Sequence, residues 1–176
     1  VLLYLSIPPC RDTIVIMQIR DSEIIRLIEQ IGDHYKSNIA NRHLRPALLH
    51  LPLDNQSWDL IETLTEKSEQ YRYQGFHLDE LYRQIAAAAR FIGLARKELI
   101  PSLRNRLNAT GRIADSDKVL REMAINNFPS NLKIFADLLN ELYVKLVEID
   151  KNASAGHTPL YAQMPELKDL GQQLVF

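Results

Sequence analysis

Residues 77–99 run HLDELYRQIAAAARFIGLARKEL. Within them Leu78, Leu81, Ile85, Ala88, Ile92, Ala95 and Leu99 alternate at spacings of three and four. This is the a/d seam of a helix packed along one face, and the period-2 pattern of a strand would split the same residues between two faces. Ala88 and Ala95 are small enough to let a neighbouring helix come close. Pro101 lacks an N–H donor and crowds the preceding turn, so it predicts a stop or kink near Leu99 or Ile100, with a short helical continuation through Leu107. Asn108 to Gly111 then reads as a turn.

Upstream, Leu60, Ile61, Leu64, Ser68 and Tyr71 share one face of a predicted helix from Ser57 to Arg72, which Gly75 ends. Before it, Arg42 to Asn55 is a connector broken by Pro46 and Pro52, with Leu44, Leu48, Leu49, Leu51 and Leu53 as apolar contacts. Ile24, Ile28, Ile31, Tyr35 and Ile39 give another helix, capped by Asp21 or Ser22. Residues 1–7 and 13–19 are rich in Val, Ile and Leu around Pro8 and Pro9, which suits a β-hairpin or paired extended segments. Such a pair is marginal alone and invites pairing with another chain.

Downstream, a fourth helix over Ser116–Asn127 is expected to present Val119, Leu120, Met123 and Ala124. Pro129 is expected to open a fifth helix at its first turn. Its stripe is Leu132, Phe135, Leu139, Leu142, Leu146 and Ile149, widened by Ile134, Leu138 and Val147, so this helix is expected to be the most buried. Past Asn152 the tail carries Gly156, Pro159, Pro165 and Gly171 and reads as irregular, with Tyr161, Met164 and Leu167 as anchors. The expected architecture is mainly α: a bundle of about five helices with an N-terminal extended or β-hairpin segment. A single domain, 1–176, then divides into an extended segment 1–20, a bundle 21–152 and a tail 153–176.

The composition agrees. Of 176 residues, 46% are apolar and 24% charged, the ordinary globular balance, which sets disorder aside as the default state. One cysteine, Cys10, excludes an intramolecular disulfide and a multi-cysteine zinc site. No run is apolar enough over the roughly 20 residues a bilayer span needs. The apolar opening lacks a basic leader region, so we expect a cytoplasmic protein. The Asn-x-Ser/Thr triplets at Asn55, Asn108 and Asn152 fall near helix ends, where these residue types serve as caps and turns.

Motifs for chemistry are few. His34, His43, His50, His77 and His157 form no His-Glu-x-x-His or Glu-x-x-His arrangement. His77 with Glu80 is the close His/carboxylate pair at helical spacing, and it reads as a helix start beside acids that suit the dipole. Cys10 follows two prolines in an expected turn, and nothing in the sequence brings a His or Asp to it as a base, so it reads as structural or incidental. Phosphate loops and nucleophile elbows are absent. Glu62, Glu66 and Glu69 share a helix face and read as its solvated side. Trp58 reads as a core anchor. We therefore expect no catalytic residues, no metal and no cofactor.

Charge is the most informative pattern. Residues 54–80 carry a net −5 and residues 81–112 a net +6, within a chain of net charge −1. Arg83, Arg90, Lys97 and Arg104 recur every seven residues, opposite the seam, and Arg96, Arg106 and Arg112 thicken the C-terminal part. Outward positions, a helix dipole and an acidic neighbouring helix all account for such a face. An anion-binding surface through Arg96, Lys97, Arg104, Arg106 and Arg112 is the alternative. Our first expectation is a non-enzymatic helical interaction or assembly protein, homo-oligomeric or bound to a protein partner. The alternative is a nucleic-acid or other anion-binding helical domain using the basic face of residues 83–112.

Overall fold

The computed structural model describes the backbone of residues 2–6, 15–67, 69–109, 116–154 and 156–175, and the side chains of 20–67, 69–105, 118–154 and 156–175. The architecture is a mainly α helical bundle. Helix α1 spans Ser22–His34; the Asp21 carboxylate caps it, accepting from the N–H groups of Glu23 and Ile24 at 2.9 and 3.3 Å. A π-helical turn, Tyr35–Ile39, extends it. Ile24, Ile28, Ile31, Tyr35 and Ile39 are all buried, as their spacing predicts.

The expected connector contains a short helix, α2 (Arg45–Leu48). Leu44, Leu48 and Leu51 are buried, while Leu49 is 67% exposed. The single helix expected over 57–72 is two, α3 (Asn55–Glu66) and α4 (Glu69–Gln74). Asp54 caps α3 by accepting from the Ser57 N–H at 2.6 Å. Gly75, at φ +70°, takes the left-handed conformation that closes α4 and reverses the chain.

A small antiparallel sheet follows from the predicted hairpin. Strands β1 (Leu2–Ser6) and β2 (Val15–Ile19) pair with Leu2 opposite Ile19. Strand β2 also pairs with β3 (Phe76–His77), which ties the hairpin to the start of the next helix. The Pro8-Pro9-Cys10 stretch lies outside the described residues.

Helix α5 (Leu78–Leu94) is the centre of the bundle, packing against α3, α7 and the C-terminal α9. All seven seam residues are buried, together with Ala86, Ala87, Ala89 and Phe91. The expected helical continuation past Pro101 is present and runs on to Ala109. A π-helical turn, Ala95–Leu99, leads directly into α6 (Ile100–Ala109). The wider turn shifts the register of the backbone ladder just where the proline ring and its missing donor would break a regular one.

The expected fourth and fifth helices are one, α7 (Ser116–Ala153), 38 residues long with Pro129 inside. Packing against α6 carries the helix through the proline. A small cavity of about 100 Å³ remains there, lined by Leu103, Ile125, Phe128 and Pro129. Leu132, Phe135, Leu139, Leu142 and Leu146 are buried as expected. However, Ile134 is exposed, so α5 and not α7 is the most buried helix. The tail is also helical in part: α8 (Leu160–Gln163), a 3-10 turn (Pro165–Leu167) and α9 (Leu170–Leu174) place Leu167, Leu170 and Leu174 in the core.

Candidate functional site

The basic residues of the α5–α6 face are divided among different partners. Arg83 pairs with Asp79 at 3.1 Å, one turn earlier on the same helix. Arg90 donates to the Ser57 hydroxyl at 2.7 Å, across the α3–α5 contact. Arg96 donates to the main-chain carbonyls of Gln172 and Val175, fastening the C-terminal segment. Lys97 and Arg104 are exposed and make no ion pair with a described residue. The side chain of Arg106, and Arg112 altogether, lie outside the described residues. Of the five anion-binding candidates, Lys97 and Arg104 thus remain on an open surface, and Arg96 serves the fold.

The outer face of α7 is more unusual. Val119, Leu120, Met123, Ile134 and Val144 are exposed, and at about 100° per residue they fall within an arc of roughly 120°. The first three were expected to pack inward. Ile125 and Phe128 fill that place instead, because α7 continues unbroken and its stripe is set by the phase of Leu132 and Phe135.

A cleft of about 310 Å³ opens between α2 and α3. Trp58, Ile61, Glu62, Thr65 and Glu66 form one wall, at the spacing of a single helix face. Arg45, Leu48 and Leu49 form the other, with Tyr35 and Ala40 of the π-helical turn between them. Trp58 is half-buried, with its ring 5.8 Å from that of Phe91, so it anchors to the core and lines the cleft as well. Tyr35 is 6% exposed, packed against Phe91 and Phe135. Burial, reinforced by the Glu66 carboxylate and opposed by Arg45, holds the Tyr35 hydroxyl above its ordinary pKa. That hydroxyl makes no hydrogen bond among the described residues. Neither Arg45 nor Glu62 nor Glu66 makes a side-chain hydrogen bond or ion pair among them. Sequence reasoning marked the two glutamates and Trp58 but missed Tyr35 and Arg45. The available signal was the mixture of Trp, Ile and two Glu on one face of α3.

Two further polar groups are structural. Asp150 is buried and accepts from the Tyr82 hydroxyl, the Ser154 hydroxyl and the N–H groups of Leu160 and Tyr161. His34 bridges Asn38 and the Asn131 carbonyl, joining α1 to α7. Among the described residues no three His, Cys, Asp or Glu side chains gather as a metal site, and no helix is long and apolar enough to cross a membrane. Comparison with protein families, curated proteins and solved structures finds no match.

Proposed function

We propose that the protein is a non-enzymatic helical assembly protein, in which a second copy covers the outer face of α7. The supporting observation is the exposed stripe. Leu120, Met123, Asn127, Ser130, Ile134, Asp137, Glu141 and Val144 repeat at alternating spacings of three and four on the side of α7 away from the core. Exposed apolar residues gathered on one face mark interaction sites more often than scattered ones do. The stripe is also self-complementary. An antiparallel pairing centred between Asn127 and Ser130 sets Met123 of each copy against Ile134 of the other, the two-fold arrangement common in homodimers. A parallel pairing would oppose Asp137 and Glu141 to their own copies, which is unfavourable.

Sedimentation of the wild type and of the Met123→Glu/Ile134→Glu double variant tests this reading. The expected result is a dimer at micromolar concentration for the wild type and a monomer of unchanged helix content for the variant. A wild type that is monomeric at every concentration, or a variant that still dimerises, overturns it.

The anion-binding alternative draws on the exposure of Lys97 and Arg104. It predicts a mobility shift of duplex nucleic acid at low salt that Lys97→Ala/Arg104→Ala abolishes.

A further inference from the structure

We propose that the α2–α3 cleft is a binding site for a compact zwitterion: an ammonium and a carboxylate carried on an aromatic or branched apolar body, as in a free apolar α-amino acid. The site is independent of the α7 interface. Four observations lead to it. The volume, about 310 Å³, lies at the small end of the range of ligand pockets, so the ligand is compact. The lining is apolar at Leu48, Trp58 and Ile61, which suits an apolar body.

Charges of both signs also border this apolar space. Glu62 and Glu66 stand one turn apart on α3, and Arg45 stands on α2. All three side chains are exposed and no ion pair joins them, so each is open to a ligand. A ligand carrying both charges satisfies both walls at once: its carboxylate meets the Arg45 guanidinium, which is shaped for two-point contact with a carboxylate. Its ammonium meets Glu62 and Glu66. A simple amine leaves Arg45 unmatched, and a simple acid brings like charge beside the glutamates.

Finally, the Tyr35 hydroxyl belongs to a residue that is 6% exposed and lacks a hydrogen-bond partner among the described residues. Tyr35 lines the cleft together with Arg45 and Glu66. Solvent reaches that hydroxyl at the cleft, and a polar ligand group entering there takes the place of water. Tyr35 also opens a π-helical turn, an element that occurs often at functional sites.

Trp58 is the chain's single tryptophan and lines the cleft, so its emission reports occupancy directly. The test titrates the full chain with L-phenylalanine, L-leucine, phenethylamine, 3-phenylpropionate and glycine, exciting tryptophan selectively. The expected result is a saturable change with phenylalanine or leucine at least tenfold tighter than with the amine, the acid or glycine. Arg45→Gln should remove the advantage over the amine, and Glu62→Gln/Glu66→Gln the advantage over the acid. Both are substitutions of exposed side chains, and circular dichroism confirms that the variants fold. No saturable change with any amino acid at millimolar concentration, or equal affinity for zwitterion, amine and acid, overturns the proposal. Neither result bears on dimerisation through α7.

Discussion

The Tyr82 hydroxyl donates to the Asp150 carboxylate at 2.9 Å, joining α5 to the C-terminal turn of α7 across 68 positions of sequence. Asp150 is a buried acid whose partners are all donors, the arrangement an acceptor-only carboxylate requires. Two of those donors are the N–H groups of Leu160 and Tyr161 at the start of α8. One side chain thus holds the bundle and the C-terminal segment together.

Removing that acceptor should be severe. Asp150→Ala leaves the Tyr82 hydroxyl and two main-chain donors unmatched, at about 1–3 kcal/mol for each buried orphan, so a loss on the order of 4 kcal/mol is expected in urea unfolding. Tyr82→Phe removes one donor of several and should cost about 1–2 kcal/mol. Equal, small losses for both variants would contradict the role given to Asp150.

Alkali should weaken the fold through the same pair. Burial, then the Asp150 charge, raises the Tyr82 pKa above its ordinary value of 10.0. The folded state therefore holds this proton more tightly than the unfolded chain does. Its contribution is complete below pH 10 and is lost as pH climbs from there toward the folded value. Thermal melts between pH 8 and 11 should show a fall above about pH 10, shallower in Tyr82→Phe. Burial shifts Tyr35 and Tyr71 in the same direction, so some slope persists in the variant.

Acid should act on a helix cap. The hydrogen bond from the Ser57 main chain lowers the pKa of Asp54 below its ordinary 3.8. Stability from this group is present above pH 3.8 and is lost as pH falls through the lower folded value. Asp54→Asn retains a capping oxygen without the titration, so its melting curve should depend less on pH below 4. Parallel curves for wild type and variant would refute this assignment.

Gly32 lies where α1 passes close to the backbone of α3. A Cβ there would lie 2.5 Å from the Thr65 carbonyl oxygen. Gly32→Ala gains about 1 kcal/mol of helix propensity but forces the two helices apart, and overpacking of this kind costs about 1–3 kcal/mol. We expect net destabilisation in chemical denaturation; a stabilised variant would show that the helices separate without strain.

Much of the fold was legible because it depends on periodicity. The α5 seam and the Ile24–Ile39 stripe are buried residue for residue, since one phase of a helix can face only one core. The ends of helices were harder to read. Pro101 and Pro129 are local stop signals that tertiary packing overrides, the first through a π-helical turn and the second within α7. Reading Pro129 as a helix start divided α7 in two and turned Val119, Leu120 and Met123 inward. The tail became helical through contacts distant in sequence, the Asp150 carboxylate and Arg96 among them. The cleft joins Tyr35 and Arg45 to Trp58 and Glu66 from three separate elements, and no local spacing encodes that.

Pairing of two copies across α7 is open to disulfide trapping. In a Cys10→Ser background, Met123→Cys and Ile134→Cys proteins are prepared separately, mixed and oxidised mildly. Antiparallel pairing predicts a 123–134 cross-link between the two proteins well in excess of the 123–123 and 134–134 products. Yields near the random 1:2:1 ratio, in which the mixed product is only about twice each of the others, or no cross-link at all, would contradict it.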